Sequence, residues 1–211
     1  MAISRSKSDQ TYSPGMAMME SANRVSRAGT LRPRRLVIGI TGGAGAAYGV
    51  RLLEVLQATD VETHLVMCDC SKQALLAETG RTPAAVCRLA DRAYQPSNQA
   101  ARISSGSFLT DGMIIAPCST RSLAAIANGL ATNLVHRAAD VMMKEGRKVV
   151  LLVQESPLSS IQVENLERLA RVPVVVVPSL AEHSAAGTLV EDLDLIVARL
   201  LGHFDISLPL Q

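Results

Sequence analysis

The chain has 211 residues, 48% of them apolar, enough for one α/β domain with a full core. No apolar run approaches the roughly 18 residues that a membrane-spanning helix needs, so a soluble protein is expected. Residues 1–35 hold seven basic side chains against two acidic ones, a net of +5 within a chain of net +2, which leaves a mildly acidic remainder at −3; with no Trp, two Phe and three Tyr, that remainder offers neither the charge nor the stacking surface of a nucleic-acid binder.

Residues 1–33 are rich in Ser, Arg, Met and Gly and lack hydrophobic periodicity, which predicts a disordered basic extension. They contain no apolar segment of the secretory kind, so a cytoplasmic location is expected. Residues 36–40 (LVIGI) form a short continuous apolar run that reads as a strand buried on both faces. Gly42, Gly43 and Gly45 crowd the turn that follows, and residues 46–53 read as a helix. A strand that runs through glycines into a helix can hold an anion, because the first helical N–H groups lack partners and the dipole end is positive. The turn is therefore a candidate nucleotide or flavin phosphate site; a tight βα turn without a ligand is the alternative.

Residues 61–67 (VETHLVM) are the second strand, and Cys68, Asp69, Cys70 and Ser71 lie at its end. Helices are expected over 71–79, stopping near Gly80, and from Pro83, where a missing N–H costs nothing. Residues 94–99 (YQPSNQ) read as a loop and 112–116 (GMIIA) as the third strand. Then come Pro117, Cys118, Ser119, Thr120, Arg121 and Ser122, hydroxyls and a cation at a helix start. They make a second candidate anion cradle, with ordinary N-capping by Ser119 as the alternative. Helices over 121–128 and 133–145, a strand over 148–153, a helix over 158–171, a strand over 173–177 and a helix over 189–202 complete the chain. Apolar strands alternating with helices predict a doubly wound parallel sheet, a Rossmann- or flavodoxin-like three-layer sandwich. In such sheets ligands sit beyond the carboxyl ends of the strands, which nominates residues 41–45, 68–71, 117–122, 154–157 and 178–183. Asp69 lies nearly thirty residues past the glycines, too far for the ribose-binding acid of a dinucleotide fold, so NAD is disfavoured. The four cysteines fit no zinc spacing, and free thiols without a metal are expected; a soft-metal role for Cys68 and Cys70 lacks partner ligands.

The motifs GITGGAGAAYGVRLL, SSGSF, DGMIIAPCST, RAADVMMKE and the turn Glu155-Ser156-Pro157 occur in that order. Over residues 35–206 the chain resembles the UbiX-type flavin prenyltransferases, within the wider group of FMN-containing decarboxylase-like flavoproteins. The resemblance implies a single flavoprotein domain over 34–206 and a short tail over 207–211. It implies FMN as the cofactor, dimethylallyl phosphate as the substrate and no metal. The product, prenylated FMN, would serve a partner decarboxylase, and neighbouring subunits of a homododecamer would complete the site. By the same resemblance Gly42, Gly43 and Ala44 fall on the first FMN loop, Cys68 on the second, and Ser119, Thr120, Arg121 and Ser122 on the third. Arg137 falls at the flavin and phosphate. Lys144, Glu155 and Arg199 fall on phosphate-binding and acid–base positions, with Gln154 and His183 beside the substrate phosphate. Glu155, Lys144 and Arg137 are the expected catalytic groups. The chain departs from the family where Ala44 and Cys68 replace serines, Gln154 replaces an arginine, and His183 stands opposite a tyrosine. An FMN-binding homologue that does not prenylate flavin, such as an accessory or flavin-carrying subunit of an aromatic-acid decarboxylase system, is the alternative reading. A structural or interaction protein with an empty site is the third.

Overall fold

Continuous apolar runs need cover on both faces, and the sheet at the centre of this protein supplies it. The structure is a computed structural model that describes residues 32–42, 44–154, 157–178 and 189–207, with residues 189–192 as backbone only. The described residues from Arg34 onward belong to one unit. Strands β1 (Arg35–Ile40), β2 (Glu62–Met67), β3 (Arg92–Tyr94), β4 (Gly112–Ile115), β5 (Lys148–Val153) and β6 (Val174–Pro178) form one sheet in the order β3-β2-β1-β4-β5-β6. Every pair is parallel, with β1 in register from Arg35 opposite Glu62 to Ile40 opposite Met67.

The helices are α1 (Ala46–Leu56), α2 (Ser71–Thr79), α3 (Pro83–Cys87), α4 (Thr120–Ala127), α5 (Leu134–Lys144), α6 (Ser160–Leu169) and α7 (Leu189–Gly202). Successive residues of a strand point to opposite faces, and two apolar clusters follow from that. Leu36, Ile38 and Ile40 of β1 pack with α1 and with Ile196, Val197, Leu200 and Leu201 of α7. Val37 of β1 packs with Met113, Ile115, Val149 and Leu151 and with Leu123, Ile126, Val135 and Met142 of α4 and α5. The result is the expected doubly wound three-layer sandwich.

The chain turns one way from β1 to β2 and the other way to β4. The loops after β1 and β4 therefore part at the carboxyl edge and leave a crevice between them. Helix ends follow local chemistry. Thr82 accepts from the Ala85 N–H ahead of Pro83, and Ser159 with Gln162 forms a capping box that starts α6 two residues later than expected from the apolar pattern. The expectation of a loop from residue 94 is corrected by β3, which ends at Tyr94. Its three residues are largely exposed and carry no apolar run, so only main-chain pairing to β2 marks it as a strand. The expectations for residues 1–31 and 208–211 fall outside the described residues.

Candidate functional site

Two neighbouring clefts open at the carboxyl edge of the sheet and share Ser119. The first, of about 420 Å³, is lined by Thr41, Gly42, Ala44, Pro117, Thr120 and Gln154 among others. The second, of about 670 Å³, includes Cys68, Cys70, Arg121, Ser122, Asn133 and His136. Ser119 lines both.

The β1 and β4 loops are tied together at Thr41. Its Oγ1 accepts from the Ser119 N–H at 3.0 Å, and its own N–H donates to the Pro117 carbonyl at 3.0 Å. Gly42 has φ 105°, and a Cβ there would sit 3.1 Å from the Ser119 Cβ. Gly45 has φ 79°, and a Cβ there would overlap the Gln154 carboxamide. The left-handed backbone favours glycine at both positions; close approach to the Ser119 Cβ adds to this at Gly42, whereas at Gly45 the flexible Gln154 side chain can swing away. The Gln154 Oε1 is buried without a hydrogen-bond partner among the described residues. An orphaned buried acceptor is costly unless ligand binding brings a donor to it.

The helix start at the glycine turn is already occupied. Glu78, at the far end of α2, accepts from the Gly45 N–H at 2.9 Å and from the Ala47 N–H at 3.3 Å. Its carboxylate takes the place at the start of α1 expected for a phosphate. The start of α4 remains open. Ser119 caps the Ser122 N–H at 3.2 Å, which leaves the Thr120 and Arg121 amides outside the helical ladder. Arg121 forms no ion pair among the described residues. Open amides, hydroxyls and an uncompensated guanidinium make this the better anion cradle.

Behind that cradle runs a row of polar side chains. The Ser119 and Ser122 hydroxyls are 3.1 Å apart, and Ser122 Oγ is 3.1 Å from His136 Nε2. His136 Nδ1 is in turn 2.8 Å from Thr132 Oγ1. Asn133, the cap of α5, accepts from the His136 N–H and donates its Nδ2 toward the Cys68 sulfur at 3.7 Å. Burial lowers the His136 pKa below the ordinary histidine value, so the ring is neutral at neutral pH. Burial pushes the Cys68 and Cys118 thiols up to about 12, and both remain protonated. Among the described residues no cluster of three or more His, Cys, Asp or Glu could hold a metal ion.

The structure thus brings together Gly42, Ala44, Ser119, Thr120 and Gln154 in one cleft and Cys68, Ser119, Arg121 and Ser122 in the other. It does not bring Arg137, Lys144 or Arg199 to either cleft. Arg137 and Lys144 share Asp140 on one face of α5, at 2.9 and 2.7 Å. Lys144 ends α5 just ahead of β5, and Arg199 lies in the last turn of α7. Both stand at the amino edge of the sheet, about 20 Å from the clefts by the length of a six-residue strand. Gly43, Glu155 and His183 fall outside the described residues. Sequence reasoning missed Glu78, His136 and Thr132. Glu78 lies 33 residues from the turn it caps, a link that no local spacing carries. His136 stands three residues after a capping Asn, which is the one local sign that it turns toward its own helix start.

The open amides and hydroxyls at α4 fit a ligand with an anionic tail, such as the phosphate of FMN. The Flavoprotein family matches residues 24–203. A probable UbiX-like flavin prenyltransferase of Bacillus subtilis is 49% identical over 176 residues, covering 83% of this chain and 86% of the relative. Among solved structures, a dodecameric FMN-dependent UbiX-like decarboxylase from Escherichia coli O157:H7 superposes with a TM-score of 0.80 at 46% identity, over 83% of this chain and 96% of that one. AnUbiX in complex with FMN and dimethylallyl pyrophosphate also gives 0.80, at 41% identity, over 83% and 94%. The chain belongs to the UbiX-like flavin prenyltransferase family of flavoproteins.

Proposed function

We propose that this protein is a flavin prenyltransferase that joins the dimethylallyl group of dimethylallyl phosphate to FMN, for use by a partner decarboxylase. The observation that carries the reading is the pair of neighbouring clefts that share Ser119, an open anion cradle beside an orphaned acceptor, in a chain 41% identical to a protein solved with FMN and dimethylallyl pyrophosphate. Bound FMN supplies the electron-rich ring that accepts the prenyl carbon. Ser119, Thr120, Arg121 and Ser122 hold its phosphate at the start of α4, and Gln154 accepts a ring N–H.

Loss of an allylic phosphate leaves negative charge on the departing oxygen. Lys144, Arg137 and Arg199 neutralise it, and Glu155 moves the proton between the ring carbon and that oxygen. Close packing of the two reactants supplies the orientation that the step needs. Lys144 and Arg199 stand too far from their own clefts for this task and Arg137 lines neither cleft, which supports a homo-oligomer in which neighbouring copies complete the cleft, the α5 face of one copy bringing Arg137 and Lys144 to another. The dodecameric state of the Escherichia coli relative agrees with that arrangement.

Reduced FMN incubated with dimethylallyl phosphate and the protein should gain the mass of one five-carbon unit. An unchanged flavin mass, with FMN still bound, overturns prenyl transfer and leaves the alternative in which Ala44 and Gln154 mark a flavin binder that does not prenylate.

A further inference from the structure

His136 is 5% exposed and touches two hydroxyls, one at each ring nitrogen. A neutral imidazole has one proton to give and one lone pair to fill. The ring therefore has two ways to satisfy its neighbours, and each sets the whole row. With the proton on Nδ1, the ring donates to Thr132, Ser122 donates to Nε2, and Ser119 donates to Ser122. Both serine protons then point inward. With the proton on Nε2, the ring donates to Ser122 Oγ, and Thr132 turns its own proton to Nδ1. The serine hydroxyl protons are then free to face the cleft that Ser119 and Ser122 line. Either state leaves no buried group of the row unpartnered, so the exchange costs little within the protein.

We propose that His136 is a positioning residue for the anion cradle, whose Nε2–H tautomer turns the Ser119 and Ser122 hydroxyls toward a bound flavin phosphate. This inference rests on the reading that FMN occupies the cleft. An empty cleft tolerates either tautomer, whereas a phosphate selects the one that offers it donors. Hydrogen bonds to a charged group are the strong ones. Losing their alignment should weaken phosphate-dependent binding by about tenfold. The ring acts through the serines, so His136 contributes to how tightly the phosphate is held and not to the chemical step.

The test compares FMN with riboflavin, which lacks the phosphate, by flavin fluorescence titration of the intact oligomer. In the wild-type protein FMN should bind more tightly than riboflavin. His136→Leu should lose about tenfold of FMN affinity and leave riboflavin affinity unchanged. His136→Gln, which keeps a donor aimed at Ser122, should retain the preference for FMN. In the Ser122→Ala background, His136→Leu should cost nothing further, because the two act in series. Should the leucine variant not fold, His136→Asn, too short to reach Ser122, must show the same selective loss. Equal losses for FMN and riboflavin, or no loss for either, overturn the proposal and leave His136 as packing. A wild-type protein that binds riboflavin as well as FMN overturns it in a different way, by removing the phosphate from this cleft.

Discussion

Replacing Gly45 by alanine separates backbone strain from the shape of the first cleft. Gly45 lies at φ 79°, in the left-handed region, where a side chain costs about 1–2 kcal/mol. The new Cβ would overlap the Gln154 carboxamide, and that flexible side chain must swing into the cleft it lines. Gly80, at φ 64° with nothing within 4 Å of its Cβ position, carries the strain alone. Gly45→Ala and Gly80→Ala should therefore lower the melting temperature alike, by about 2–8 °C for a domain of this size. Only Gly45→Ala should weaken FMN binding, by at least about fivefold if the ring loses one hydrogen bond to Gln154. Gln154→Ala should weaken binding similarly, and the double variant should lose little more than either single one. Thermal melts and flavin titration of the four proteins decide the matter. A Gly45→Ala protein that binds FMN as tightly as Gly80→Ala does would refute the role assigned to Gln154.

Three further outcomes are expected. His64 is fully buried between Tyr94 and Phe108, with Nδ1 2.9 Å from the Tyr94 hydroxyl, and burial lowers its pKa against the opposing pull of Glu62. The folded state therefore binds fewer protons than the unfolded one, so stability present above the ordinary value of 6.5 is lost as pH falls below it. Urea melts between about pH 7 and 5 should show that slope, which His64→Asn should flatten; a wild-type protein whose stability does not change over that interval contradicts the sign. Glu62, held below its ordinary 4.5 by the Arg35 hydrogen bond, acts in a lower window. Ser119→Ala removes the α4 cap and should cost about 1 kcal/mol, or about 2–4 °C, together with FMN affinity; an unaltered melt would mean that the cap contributes nothing. Finally, Lys144→Ala and Gln154→Ala proteins, each impaired alone, should regain part of the prenyl transfer when unfolded and reassembled together. Mixed oligomers with no activity above the two separate proteins would place both residues in the service of one copy.

Much of the fold was legible in the chain because burial on both faces leaves an unambiguous mark. The runs at residues 36–40, 148–153 and 173–177 became β1, β5 and β6 with shifts of one residue or less at their ends. The edge strand β3 was not legible, since a three-residue strand held by one neighbour has no apolar requirement. Gly42, Ala44, Cys68, Ser119 and Gln154, read from their place at strand ends, line the two candidate clefts, since loops at the carboxyl ends are where a parallel sheet presents side chains to a ligand. The occupant of the glycine turn was not readable, because Glu78 reaches it from another helix.

The order of apolar runs, glycines and hydroxyls in the chain by itself determined a parallel sheet with its ligand edge at the carboxyl ends, since strand burial and helix starts are local properties. Only the tertiary structure decided which helix start stays open to an anion, which acceptor is left without a donor, and which cations stand too far away to serve their own cleft. Those outcomes depend on distances between segments separated by tens of residues, and folding sets such distances where spacing along the chain does not.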